Sequence, residues 1–127
     1  MRVALDTNRY RDLVDGDAGA VATLEAADSI VLPFVVLAEL RAGFAAGARA
    51  QKNEQALIRF LLKPGVEVIY ADDGTTRVYA TLFRQLGLQG TPLPTNDLWI
   101  AAIAIQHDLL LYTRDRHFRK LPQLPQI

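Results

Sequence analysis

The chain has no cysteine in its 127 residues. Disulfides, thiolate metal ligands and a cysteine nucleophile are excluded together, and a reducing compartment suits it. It also lacks a long apolar run. The longest, residues 30–38, falls well short of the ~18 residues a membrane span needs. The start of the chain reaches Asp6 after three apolar residues, too few for the apolar centre of a secretion signal. A soluble, cytoplasmic protein without membrane contact is expected. No glycine-rich loop ending in Lys-Ser or Lys-Thr occurs, so P-loop nucleotide hydrolysis is excluded. His107 and His117 are the only histidines, and no serine or cysteine motif matches them as a triad.

What is present suits one compact unit. Half the residues are apolar and 22% are charged, enough for a core and far from a disordered composition. A single domain over residues 1–127 is expected. Net charge is zero, but the charges are not evenly spread. Residues 1–39 hold seven acids and three arginines. Residues 40–63 hold five bases, including Arg41, Arg49 and Lys52, against Glu54 alone. Arg114, Arg116, Arg119 and Lys120 then crowd around Asp115. If a cation neutralised an acidic site, the remaining surface would be basic enough to attract a polyanion.

Four short apolar runs, residues 3–5, 30–32, 66–69 and 109–112, fail to alternate with polar residues. Such runs suit parallel strands buried on both faces. Helical stretches lie between them at 18–27, 34–46, 50–62, 73–86 and 97–106, the last capped by Thr95 or Asn96. A further short helix follows Asp6, with Thr7 and Asn8 as its cap. Strand–helix alternation predicts an α/β protein, a three-layer α/β/α sandwich on a mainly parallel sheet.

Four acids carry the chemistry. Asp6 ends the first strand and Asp115 follows the last, so both fall at the C-terminal edge of the sheet, where such folds bind ligands. Asp97 opens a helix whose small residues Ala101 and Ala104 allow close approach to the sheet. For all three, a turn or cap role is the simple alternative. Glu39 shares a helix face with Val35, Val36, Ala42 and Gly43, where an unpartnered carboxylate is costly. Like charges ~4 Å apart repel by about 4 kcal/mol at an effective dielectric of ~20. The cluster must therefore take up protons or a cation. An oxygen-only donor set selects Mg²⁺ or Mn²⁺, and such a site suits phosphodiester hydrolysis.

Four segments of the chain resemble the PIN-domain family, most closely its VapC-type toxin ribonucleases. They are Leu5-Asp6-Thr7-Asn8, the run from Leu37 to Gly43 around Glu39, the run from Pro92 to Ala102 around Asp97, and the run from Leu111 to Phe118 around Asp115. Their order and spacing match across nearly the whole chain. The resemblance implies a metal-dependent endoribonuclease with an RNA substrate. It also implies homodimerisation and a cognate antitoxin that holds the enzyme inactive, with DNA contacted only through that antitoxin. Asp6, Glu39, Asp97 and Asp115 match the family's acidic metal positions. Asn8, Asn96 and Thr113 match polar positions beside them. Arg9 stands where relatives often carry an apolar residue, a change affecting packing or substrate contact more than chemistry.

Arg41, Arg114, Arg116 and His117 are the possible RNA contacts, although each also fits a solvated surface. His107 suits a helix C-terminus. Trp99, Ile100, Ile103, Tyr79, Leu82 and Phe83 read as core. Two alternatives stay open. One is a DNA-directed nuclease or phosphatase using the same acids; an aspartyl-nucleophile phosphatase would usually carry aspartate at the position of Asn8. The other is a non-catalytic module that acts only through an antitoxin–operator complex.

Overall fold

The structure is a computed structural model describing all 127 residues. Strands β1 (Arg2–Leu5), β2 (Ser29–Pro33), β3 (Val66–Ile69) and β4 (Leu110–Tyr112) form one parallel sheet in the order β3-β2-β1-β4. Val3 pairs with Ile30 on one side and Leu110 on the other, which fixes the register of the central strand. Between β1 and β2 run α1 (Thr7–Val14) and α2 (Ala18–Glu25); between β2 and β3, α3 (Phe34–Ala45) and α4 (Ala50–Leu61); between β3 and β4, α5 (Asp73–Gln89) and α6 (Thr95–Gln106). A 3-10 helix, Arg116–Lys120, follows β4. The strand order steps one way from β1 to β3 and then returns past β1 to β4. With right-handed crossovers, the reversal sends α5 and α6 to the face opposite α1–α4. This is the expected α/β/α sandwich.

Burial explains why the apolar runs behave as they do. Val3, Ala4 and Leu5 are all completely buried, as a strand covered on both faces requires. In α6, Ile100 through Ala104 are likewise fully buried, which marks it as the central helix of its layer. Each buried leucine or isoleucine contributes about 1.5–3 kcal/mol. The expectation of two buried faces fails at β3. That strand is the sheet edge, with Glu67 exposed and its neighbours half-buried.

Helix ends depart from the sequence expectations in three places. Asp6, rather than Thr7 or Asn8, caps α1, because Thr7 is already its first residue. The α6 helix begins at Thr95, after Pro94, and has no side-chain cap. Proline preorganises the turn there, so Thr95 and Asn96 become helical and Asp97 falls within the first turn. The α5 helix continues through Gly87 and stops at Gly90, which takes φ +71°. Thr91 N–H bonds to Leu86 O at 3.0 Å and Gly90 N–H to Gly87 O at 3.2 Å. These two bonds close the helix, and only the left-handed glycine makes them readily available.

Candidate active site

The reversal of strand order leaves a crevice between the C-terminal ends of β1 and β4, the place where parallel sheets bind ligands. Asp6 stands at this point. Its N–H bonds to Tyr112 O at 3.1 Å, carrying the β1–β4 pairing up to the acid. The residue is 5% exposed. Its Oδ1 accepts the Thr7 N–H at 2.8 Å. Its Oδ2 accepts the Thr113 hydroxyl at 2.6 Å and the Asn8 amide at 3.3 Å. Burial pushes the Asp6 carboxyl above the ordinary carboxylate range, and the charges of Glu39 and Asp115 add to this. The bonds from Thr113 and Thr7 oppose the rise without cancelling it.

Thr113 ties two acids together. Its hydroxyl donates to Asp6 and accepts the Asp115 N–H at 2.9 Å. Asp115 in turn caps the 3-10 helix through the His117 N–H at 2.8 Å. That turn brings the His117 Nδ1 to 3.2 Å from Asp115 and 3.7 Å from Asp97. One ligand atom from each of Asp97, Asp115 and His117 falls within 4.8 Å of the others, close enough to share a metal ion.

Asp97 enters from the other side of the crevice, on the first turn of α6. A helix N-terminus normally favours the carboxylate. Here the opposite wins, and the Asp97 carboxyl is pushed up to about 6. Burial is the largest cause, followed by the charges of Asp115, Asp6 and Glu39, while His117 pulls the other way. Glu39 reaches the cluster from the middle of α3, half-buried, and accepts the Thr7 hydroxyl at 2.8 Å. The sequence offers Thr7 only as a helix cap, and its bond to Glu39 needs the fold to be seen.

The other sequence candidates divide. Asn8 bridges the two edge segments, donating to Asp6 and accepting the Arg114 N–H at 3.1 Å. Asn96 is exposed and lines, with Glu39 and Trp99, a cavity of about 400 Å³. Arg41 makes a two-point ion pair with Glu54 at 2.8 and 3.1 Å. The bidentate fit of guanidinium to carboxylate holds this pair together, and the Arg41 side chain stays half-exposed. His117 lies beside Asp97 and Asp115, so the cluster offers an imidazole nitrogen as well as carboxylate oxygens. Arg114 pairs with Asp12 at 3.1 Å. Asp12 also holds Arg9 at 3.2 Å, whose guanidinium lies 4.5 Å from the Tyr112 ring centre. Arg9 is thus a packing residue in this structure. Phe83 is 65% exposed and departs from the core reading, whereas Leu82 and Ile100 keep to it.

A family model described as PIN domain matches residues 3–124. Among curated relatives, Ribonuclease VapC5 of Mycobacterium tuberculosis (strain ATCC 25618 / H37Rv) is 35% identical over 94 residues, covering 74% of this chain and 70% of that protein. Ribonuclease VapC1 of Haemophilus influenzae (strain R2866) is 32% identical over 110 residues, 84% of this chain and 79% of the relative. Among solved structures, VapBC2 from Rickettsia felis, bound to a DNA fragment from its promoter, superposes with a TM-score of 0.88 at 27% identity. That match covers all of this chain and 98% of the other. A member of the VapBC family of toxin–antitoxin systems, VapBC-5 from Mycobacterium tuberculosis, gives 0.76 at 27% identity, covering 99% and 97%.

Proposed function

The chain belongs to the PIN domain family, and from that membership we propose that it is a metal-dependent endoribonuclease, the toxin of a toxin–antitoxin pair. Relatives of up to 35% identity named as ribonucleases support the RNA substrate. The observation that carries the catalytic reading is the convergence of acids from four segments on one crevice, with Thr7 joining Glu39 to Asp6, Thr113 joining Asp6 to Asp115, and Asp97 grouped with Asp115 and His117. In keeping with it, burial first and then the charges of Asp115, Asp6 and Glu39 push the Asp97 carboxyl up to about 6 at a helix N-terminus. A cluster under that repulsion is relieved by a divalent cation.

Asp6, Glu39, Asp97 and Asp115 would hold one or two Mg²⁺ or Mn²⁺ ions, directly or through water, with His117 beside them. Four carboxylates fit a hard ion, and one imidazole is compatible with Mn²⁺. When bound, the ion supplies Lewis-acid polarisation of the phosphate and acidification of water. The side chains do the rest. Thr113 holds Asp6 and the Asp115 main chain at fixed separation. Thr7 orients both Asp6 and Glu39. Asn8 fixes the segment after β4 against the first turn of α1. Asp97 must lose its proton to act as a ligand.

We further propose that residues 1–127 form one nuclease domain that works as a homodimer bound by a cognate antitoxin and meets DNA only through that partner. The relatives solved as VapBC complexes support this. An RNA substrate would put its work in the cytoplasm.

The test is cleavage of a panel of structured and single-stranded RNAs by purified, antitoxin-free protein with Mn²⁺, Mg²⁺ or EDTA, beside Asp6→Asn and Asp97→Asn. Cutting that needs the metal and is lost in both variants is expected. Variants that cut as well as the parent would overturn the site. Metal-dependent cutting of DNA in preference to RNA would overturn the substrate.

A further inference from the structure

A cavity of about 490 Å³ adjoins the acid cluster and shares Thr113 and Asp115 with it. Its basic wall is Arg114, Arg116 and Arg119. We propose that this cavity is a phosphate subsite that holds the backbone of the substrate strand beside the cleaved bond. The inference rests on the nuclease function proposed above.

Three features carry it. The first is unspent charge. Arg114 is tied to Asp12, but no acid lies within 4 Å of the Arg116 or Arg119 guanidinium. The second is placement. A 3-10 helix has three residues per turn, so Arg116 and Arg119 project from the same side, one above the other. The third is a firm mount. Phe118 and Leu121 are completely buried and Leu124 is nearly so. The Gln126 amide bonds to the Phe118 carbonyl at 2.8 Å from below, and Asp115 caps the helix from above. The two guanidinium groups are thus carried on an anchored turn at a set offset from the acids.

The chemistry selects the ligand. Paired guanidinium groups match phosphate oxygens through several charge-assisted hydrogen bonds. The cavity has no aromatic lining, so it offers no platform for a base and would be indifferent to sequence. Position supplies the need. Four acids repel a polyanion, and a basic wall on the β4 side offsets that repulsion one step from the reacting phosphate.

The test compares the parent with Arg116→Gln/Arg119→Gln. Arg59→Gln/Lys63→Gln, charge-matched and on the α4 segment by the opposite sheet edge, is the control. Binding of a short fluorescein-labelled single-stranded RNA, and of the DNA of the same sequence, is read by anisotropy in EDTA between about 50 and 200 mM NaCl. The first variant should bind both about tenfold more weakly at the lower salt, and its log K against log salt should flatten by about 0.7 for each phosphate it no longer neutralises. The control should keep the parent's slope, and Arg116→Lys/Arg119→Lys should restore the parent's slope, since the charge returns, while recovering only part of the affinity, since the guanidinium fork does not. A first variant with parental affinity and slope overturns the subsite, and so does one that loses no more than the control; parental RNA cleavage would then still support the nuclease. A parent that neither cuts nor binds RNA overturns the nuclease reading and the subsite with it.

Discussion

Asp6 caps α1 with one carboxylate oxygen and takes the Thr113 hydroxyl at 2.6 Å with the other. Asp115 likewise caps a turn while facing the cluster. Cap and site are therefore not competing explanations here, because a carboxylate has two oxygens and the turns at strand ends aim them into the crevice. Thr113→Val keeps the shape but removes the donor to Asp6 and the acceptor of the Asp115 N–H. Mn²⁺ affinity measured by calorimetry should fall about 10- to 100-fold, as when a ligand's supporting hydrogen bond is removed; unchanged affinity would remove Thr113 from the proposed site. Asp97 gives a pH prediction with a definite sign. Its folded carboxyl stands at about 6, above the unfolded value, so the folded, metal-free protein binds that proton more tightly. This contribution to stability is present at low pH and is lost as pH rises from the ordinary aspartate range through about 6. At pH 7 in EDTA, Asp97→Asn should be more stable than the parent by about 1–2 kcal/mol after allowance for partial solvent screening. The difference in Tm should close towards pH 4, and a variant less stable than the parent at pH 7 would contradict the assignment.

Elements separate stability from chemistry. The α5 helix starts with a reciprocal cap in which Thr75 N–H bonds to Asp72 Oδ1 and Asp72 N–H to Thr75 Oγ1, both at 3.0 Å. Gln106 of α6 joins the same Asp72 oxygen at 2.8 Å. Asp72→Ala should cost about 0.5–2 kcal/mol in denaturant unfolding and leave Mn²⁺ affinity alone, since nothing in this network reaches the acids. Phe118 differs, because its fully buried ring anchors the turn that carries Arg116 and His117. Phe118→Ala should cost about 3–5 kcal/mol. Helix identity was readable from apolar spacing, but two of the site's helix ends were not. Pro94 started α6 two residues before the expected position and Asp6 displaced Thr7 as a cap, both decided by backbone geometry where strand meets helix.

At the scale of the molecule, one sheet and one core of 27 buried residues position acids that come from four separate segments. Binding that joins those segments stabilises the folded state by mass action. Mn²⁺ at about 100 times its dissociation constant should raise stability by about 2.7 kcal/mol, seen as a higher Tm. Asp97→Asn should lose most of that gain, while Asp72→Ala keeps it. Equal gains in all three proteins would indicate binding elsewhere.

The layered α/β architecture and the four strands were legible in the sequence, and Glu39 stood out there as a candidate site residue. Those follow from local rules: buried parallel strands read as unbroken apolar runs, and a glutamate on an apolar helix face calls for a partner. Distances between segments remote in the chain were decided only by the tertiary structure. The strand order β3-β2-β1-β4 sets Thr113 against Asp6 across 107 positions. The 3-10 turn after Asp115 swings His117 into the cluster. Arg41 and Arg116 look alike in the sequence as bases near an acid. The fold pairs Arg41 with Glu54 and leaves Arg116 without an acid partner, because whether a charge is spent depends on what packing brings within about 4 Å of it.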